Sequence, residues 1–150
     1  MNTDNVSRDD WILGGITLAL IVTLLFLPWF SVPGVTAGSI TIGSVNFTAT
    51  DAPDSGLGLL AVLAAALLLL DLGFDRLSPQ TEVPSINGSR TQTRLVLACI
   101  AALFVALKFL FHLHFSLFGF GFWAAAVLTA AMVYVAYQVH DSRDSTTGRF

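Results

Sequence analysis

The chain has 150 residues, of which 55 % are hydrophobic and only 11 % are charged. Because an ordinary soluble domain carries about 25 % charged residues, this composition excludes both a water-soluble globule and a disordered chain. The formal net charge of −3 argues against a nucleic-acid-binding surface. The single cysteine, Cys99, permits neither an intrachain disulfide nor a multi-cysteine metal site.

Four apolar stretches follow one another along the chain, at about residues 11–30, 56–74, 95–115 and 118–139. A helix needs about 20 residues to cross about 30 Å of hydrocarbon. The stretches therefore predict a single integral membrane domain over residues 1–150, an all-α bundle of four transmembrane helices. Because no small-residue cleavage site follows the first stretch, we expect it to be a retained helix and not a signal peptide.

Basic residues predict the orientation of these helices. Six of the seven lie on one side, namely Arg8 before helix one, Arg76, Arg90 and Arg94 between helices two and three, and Arg143 and Arg149 after helix four. The positive-inside rule then places both termini, the 75–94 loop and the 140–150 tail in the cytoplasm. We expect a multi-pass protein of the plasma (inner) membrane, with residues 31–55 outside.

The segment between helices one and two has the pattern of a β-hairpin. Apolar and polar residues alternate around Ile40 and again around Phe47. Gly43-Ser44, between the two runs, is a two-residue sequence typical of a type II′ turn. The pattern predicts a small extracellular β-hairpin over residues 35–50 that turns at this dipeptide and brings the two runs together.

Lys108 lies inside the third predicted helix, where an ionisable residue is a candidate for function. His112 follows one helical turn later, and His114 lies near the outer end, so the three residues form a candidate intramembrane polar site. Such a site could relay protons or bind an anion. The favoured interpretation is a structural lysine that either snorkels to the interface or is buried in the bundle. Its natural partners are Asp51 and Asp54, the only acids on the outer side.

Asp71 lies near the cytoplasmic end of the second predicted helix, too far along the membrane normal to meet Lys108. We expect this inner-interface acid to pair with Arg76 or Arg94. The H-x-H sequence at 112–114 does not put both rings on one helix face, and no further ligands lie nearby, so no metal site is predicted.

Motifs for catalysis are missing from the sequence. It contains no phosphate-binding glycine loop, no nucleophile elbow and no H-E-x-x-H motif. We therefore expect neither an enzyme nor a bound cofactor. The aromatic run over residues 109–123 could shape a lipid or quinone pocket, but interfacial packing is the more common use of such residues.

The end of helix one carries a resemblance to a known type of protein. Residues 24–31 read LLFLPWFS, and they precede a segment rich in Gly, Ser, Thr and Val and then an Ala/Leu-rich helix. The arrangement resembles small four-span membrane proteins of high-GC Gram-positive bacteria over about residues 11–70. The resemblance implies a layout and no particular activity. A β element after helix one is also similar to the layout of claudins, whose paired cysteines are missing here.

These observations favour a non-enzymatic accessory or structural subunit of a larger membrane assembly, or a self-associating scaffold. The alternative is a small homo-oligomeric channel or transporter that uses Lys108 and His112. A third hypothesis is a lipid- or quinone-binding redox partner. The expected partners are the lipid bilayer and either other membrane subunits or further copies of the chain, without nucleic acid.

Overall fold

The computed structural model of the chain describes residues 3–51, 54–77, 89–111 and 118–147. Four long helices make up most of this structure: α1 (Thr3–Phe26), α2 (Ser55–Leu77), α3 (Arg90–Phe111) and α4 (Phe120–Thr147). Four short strands lie between α1 and α2: β1 (Phe30–Val32), β2 (Val35–Ala37), β3 (Ile40–Ile42) and β4 (Val45–Phe47). The prediction of four long helices with a small hairpin region between the first two is confirmed. Most of the predicted 75–94 loop, both candidate histidines and residues 148–150 lie outside the described residues.

Each helix contains a segment that is long and apolar enough to cross a membrane. The segments are Arg8–Phe26, Ser55–Asp75, Arg90–Phe111 and Phe120–Ser142, with mean hydropathies between 1.7 and 2.5. A span of about 20 residues at 1.5 Å per residue matches the thickness of a hydrocarbon core. By length and composition, the helices therefore indicate a multi-pass membrane protein.

The helices pack so that neighbours in sequence are neighbours in space. α1 contacts α2 and α4, and α3 contacts the same two helices. Several alanines are fully buried at these contacts: Ala61, Ala65, Ala98, Ala101 and Ala125. Small side chains let two helix backbones approach closely, which favours association where lipid removes the usual hydrophobic driving force.

Several helix ends differ from the sequence-based bounds, and two of these differences have a plain physical reason. α1 ends at Phe26 and not near residue 30, because Pro28 has no N–H to donate and disfavours a helical conformation in the residue before it. α4 continues to Thr147, through most of the tail that was expected to be a solvated end. No proline or glycine interrupts residues 140–147, so the helical hydrogen bonds can continue through these polar residues.

The four strands form one antiparallel hairpin with an interruption. β1 pairs with β4, with Phe30 opposite Phe47, and β2 pairs with β3, with Val35 opposite Ile42. Both ladders keep the same register, so residues 30–47 fold back on themselves as a single hairpin. Pro33, between β1 and β2, lacks the N–H that a continuous ladder would need at this position.

The hairpin turns at Gly38-Ser39, so the predicted turn at Gly43-Ser44 and the predicted pairing of the Ile40 run with the Phe47 run are wrong. Gly38 has a φ of 64°, the positive value that the first residue of a type II′ turn requires. The chain contains two Gly-Ser sequences with suitable flanks, and the prediction left out residues 30–32. These residues pair with β4 and thereby fix the register of the whole hairpin.

Candidate functional site

The buried basic residues define two networks, one at each end of the bundle. We call the end where α1 leads into β1 the hairpin end, and the opposite end the far end. Lys108 lies at the hairpin end and Arg94 at the far end, and each side chain is only 1 % exposed. Because a buried charge is costly unless it is hydrogen-bonded, the contacts of these two residues indicate what they do.

At the hairpin end, backbone carbonyl groups surround the ammonium group of Lys108. Nζ lies 2.5 Å from the carbonyl oxygen of Ala49, 3.3 Å from that of Asp54 and 3.4 Å from that of Asp51. Three acceptors match the three N–H donors of a lysine. Lys108 therefore connects α3 to the chain that runs from the hairpin into α2. Asp51 and Asp54, the two acids that the sequence offers on this side, meet Lys108 through their backbone oxygens.

This carbonyl cage is built by close packing of its backbone. The N–H of Ala49 donates to the carbonyl of Leu24 at 3.2 Å, which fixes the residue against the end of α1. A Cβ added to Gly58 on α2 would overlap the carbonyl group of Ala49. Asp54 has a φ of 56°, a left-handed conformation that aspartate tolerates better than most residues, and its carbonyl also accepts from Leu57 at 3.1 Å.

The side chain of Asp51 stabilises the turn that precedes α2. Its carboxylate accepts a hydrogen bond from the backbone N–H of Thr48 at 2.7 Å and another from the hydroxyl of Thr48 at 2.8 Å. These two hydrogen bonds, and to a smaller extent the positive charge of Lys108, hold the pKa of Asp51 below its ordinary value of 3.8. The ionised form of Asp51 is therefore part of the structure that presents the carbonyl groups.

Aromatic residues pack beside the cage. Nζ of Lys108 lies 5.7 Å from the ring centroid of Trp29, within cation–π range. Trp29 packs edge-on against Phe122 at 5.5 Å, and Phe122 stacks on Phe118 at 4.2 Å and on Phe109 at 5.2 Å. Phe109, Phe118 and Phe122 thus pack against one another and, through Phe122, against Trp29. Phe111, Phe120 and Trp123 of the same run are exposed.

At the far end, all three guanidinium nitrogens of Arg94 donate to carboxylates. Nε lies 2.6 Å from Asp71, Nη2 lies 2.8 Å from Asp75, and Nη1 lies 3.1 Å from Asp10. Arg90 adds a contact of 2.5 Å to Asp75. Arg94 is one of the two partners that the sequence offers for Asp71. The network joins α1, α2 and α3, well away from Lys108.

Sequence reasoning missed the size of this network. Asp71 and Asp75 are four residues apart on α2, and Arg90 and Arg94 are four residues apart on α3. Residues at this spacing share one helix face, so two acids and two bases were available to meet across antiparallel helices. This spacing is the signal in the sequence that indicates a network between α2 and α3, in addition to the orientation that Arg90 and Arg94 predict. Asp10, which comes from α1, carries no comparable signal.

An apolar groove of about 570 Å³ lies between α3 and α4. Its walls carry Ala102 and Ala106 on α3 and Ala126 and Ala130 on α4, with Trp123 nearby. None of the residues that line it is ionisable, so the groove offers space for hydrocarbon or a helix without a group for acid–base chemistry.

The described structure thus separates the residues that the sequence singled out. Lys108 meets the backbone of Asp51 and Asp54 at the hairpin end, and Asp71 meets Arg94 at the far end. His112 and His114 lie outside the described residues. Comparison with protein-family models, with curated proteins and with solved structures finds no match to this chain.

Proposed function

We propose that the chain is a non-enzymatic structural component of a membrane assembly, either an accessory subunit or a self-associating scaffold. The observation that carries this proposal is the use of both buried basic residues, Lys108 and Arg94, in contacts internal to the fold. Together these contacts hold the ends of α1, α2 and α3 at fixed positions. A rigid bundle of this kind suits a protein whose task is to present surfaces to others.

The state of Lys108 argues against a transport site at this residue. A group that handles a passing ion or solute must exchange its partners during each cycle, usually from a water-filled cavity. Lys108 is 1 % exposed, and three carbonyl groups surround its ammonium. Releasing it would leave the buried carbonyl group of Ala49 without this donor, at a cost of about 1–3 kcal/mol.

The outer faces of the helices support an accessory role. Large apolar side chains such as Leu63, Leu103 and Val127 are exposed on three different helices. The groove between α3 and α4 has small residues at a spacing of four on both walls, a pattern that favours close helix contacts in membranes. These surfaces suit lipid chains and the transmembrane helices of partner subunits.

We further propose that the far end lies in the cytoplasm and the hairpin lies outside the cell, in the plasma (inner) membrane. Arg90 and Arg94 lie at the far end together with Asp10 and the start of α1, where Arg8 is located. This clustering of basic residues at one end of the bundle supports an orientation by the positive-inside rule.

Two measurements test the proposed function. The mass of the purified protein in mild detergent, with mass spectrometry of co-purifying chains, should reveal a stable partner or a homo-oligomer. Vesicles that contain the protein should show no ion or solute flux above the level of empty vesicles. Flux that disappears in Lys108→Met, with as much folded protein in the vesicles as for the wild type, but persists in Leu103→Met, an exposed control on the same helix, would overturn the proposal in favour of a channel or transporter.

A further inference from the structure

The outer part of the hairpin is a two-stranded sheet with exposed edges. β2 pairs only with β3 among the described residues, so the opposite edge of each strand faces no third strand. All residues of both strands are exposed, whereas Phe30 and Phe47, at the base of the hairpin, pack on the core. Two-stranded hairpins are marginally stable in isolation and gain stability from further strands.

The edges of this sheet lack the features that normally keep edge strands apart. Residues 31–50 contain no ionisable side chain, and Val35, Ile40 and Ile42 are 62 %, 67 % and 65 % exposed. Natural edge strands are usually protected by charges, prolines or bulges. Pro33 lies close to the edge of β2, whereas no residue of this kind lies close to β3.

The fold itself contains the combination of side chains that such an edge would bring together. β2 reads Val-Thr-Ala and β3 reads Ile-Thr-Ile, and the two pair antiparallel with Thr36 opposite Thr41. The hydroxyl oxygens of these threonines lie 3.5 Å apart. A strand with the pattern aliphatic–Thr–aliphatic therefore accepts another strand of the same pattern as its neighbour. A second β3 presents this pattern again.

The backbone of Thr41 is suitably oriented for this contact. In a two-residue hairpin the pair that flanks the turn is hydrogen-bonded, and the next pair is not. Thr41 belongs to that second pair, so its N–H and C=O point to the free edge of β3. A second copy placed antiparallel, with its own Thr41 opposite, could form two hydrogen bonds and set each Ile40 opposite an Ile42.

We propose that two copies of the chain associate through the β3 edges of their hairpins to form a four-stranded antiparallel sheet. The occupant is a second copy because an uncharged strand attracts no charged partner and does not repel its own kind, and because the β2–β3 ladder already pairs these patterns. The inference rests on the proposed function and gives its self-association a specific surface.

Proline substitutions at the two threonines test the proposal as a matched pair. Proline removes the N–H that points to the free edge, at Thr41 on β3 and at Thr36 on β2, while the ladder between β2 and β3 keeps its hydrogen bonds. We expect Thr41→Pro to weaken dimerisation by about tenfold or more through the loss of two intermolecular hydrogen bonds. Thr36→Pro should dimerise like the wild type, as measured by mass in lipid nanodiscs or mild detergent over a range of protein concentrations.

Cross-linking gives an independent reading that does not depend on the stability of a proline variant. In a Cys99→Ser background, Thr41→Cys should form a disulfide-linked dimer on mild oxidation, because opposed Cα atoms in a hydrogen-bonded pair lie about 5.5 Å apart, within disulfide range. Thr36→Cys should stay largely monomeric. Equal cross-linking at both positions, equal weakening by both prolines, or a wild type that is monomeric throughout would overturn the β3 contact.

The outcomes separate this inference from the function on which it rests. A monomeric wild type that co-purifies with a different chain would overturn the β3 contact and leave the accessory role standing. Conversely, flux that depends on Lys108 would overturn the proposed function, even with the dimer intact.

Discussion

Lys108 donates a hydrogen bond of 2.5 Å to the carbonyl oxygen of Ala49. The N–H of the same alanine donates to the carbonyl oxygen of Leu24 at 3.2 Å. Ala49, which is buried, therefore links α3 to the end of α1. Arg94 does the equivalent at the far end, where it contacts acids on α1 and α2. Lys108 and Arg94 therefore each join helices of the bundle, at its opposite ends.

Replacing Lys108 should destabilise the protein. Lys108→Met keeps much of the side-chain volume but removes the lysine donor from the buried carbonyl group of Ala49 and from the carbonyl groups of Asp51 and Asp54, of which that of Asp54 keeps its hydrogen bond from Leu57. Since a buried acceptor that loses its partner costs about 1–3 kcal/mol, we expect the free energy of unfolding to fall by about 2–3 kcal/mol. Removal of a lysine that only snorkels to the interface would leave the free energy of unfolding nearly unchanged. The sequence alone favours this second outcome.

Unfolding in detergent, followed by tryptophan fluorescence, measures this difference. Leu103→Met on the exposed face of the same helix is the control and should stay within about 0.5 kcal/mol of the wild type. If Lys108→Met is as stable as the control, the carbonyl cage has no energetic importance.

The far-end network predicts a large difference between two neighbouring arginines. Arg94→Leu leaves the buried carboxylate of Asp71 without the guanidinium that it contacts at 2.6 Å, and breaking a buried ion pair in this way costs about 3–5 kcal/mol. Arg90→Leu removes a half-exposed partner of Asp75, and exposed pairs contribute about 0–1 kcal/mol. The same unfolding measurement on both variants checks the order, and similar losses for the two would contradict it.

Much of the fold could be predicted because the physical signals were strong and local. Four apolar stretches of membrane-spanning length predicted four helices, and alternation around Ile40 and Phe47 predicted a hairpin. The turn was misplaced because two Gly-Ser sequences satisfy the same local rule, and the choice between them depends on Phe30 pairing with Phe47. Such a pairing joins residues far apart in sequence, which a local pattern does not encode.

The candidate site was less accessible to sequence reasoning. Lys108 and Asp71 stand out in the sequence because charged residues are rare in membrane-spanning segments. The partners of Lys108 are backbone carbonyl groups, which every residue has, so no residue type could point to Ala49. Arg94 donates hydrogen bonds to three acids on two helices. The contact with Asp10 depends on how α1 packs in the bundle, which the sequence does not indicate.

The proposed orientation predicts where two reporters will be found. A reporter fused after residue 150 should be active in the cytoplasm, because the basic residues cluster at the far end of the bundle. A short epitope inserted between Gly38 and Ser39, at the exposed turn of the hairpin, should be accessible to antibody on intact cells or spheroplasts. A cytoplasmic hairpin epitope together with an exported C-terminus would reverse the orientation.

The lowered pKa of Asp51 predicts a specific loss of stability in acid. Because the folded state holds this pKa below the ordinary value of 3.8, the ionised carboxylate stabilises the fold above about pH 4. That contribution disappears as the pH falls through the folded-state pKa. Asp51→Asn lacks this titration, so the stability difference between wild type and variant should be present at pH 6 and shrink below about pH 4. A difference that stays constant from pH 6 to pH 3 would contradict this assignment.

Two glycines on the first turns of α2 should respond in opposite directions to the same substitution. Gly58→Ala introduces a Cβ that overlaps the carbonyl group of Ala49, so the carbonyl must move away from its position beside Lys108. Gly56 has open space around the corresponding position, and an alanine there should stabilise the helix by about 0.5 kcal/mol by restricting the unfolded chain.

We therefore expect Gly58→Ala to lower the free energy of unfolding by about 1–3 kcal/mol, the usual range for overpacking a well-packed site. Gly56→Ala should raise it or leave it unchanged. Combining Gly58→Ala with Lys108→Met adds a sharper test, because residues that act on one carbonyl group are coupled. If displacement of the Ala49 carbonyl is what Gly58→Ala does, the double variant should lose less stability than the sum of the two single losses. Strict additivity would mean that the close approach at Gly58 and the lysine contact are independent features of the hairpin end.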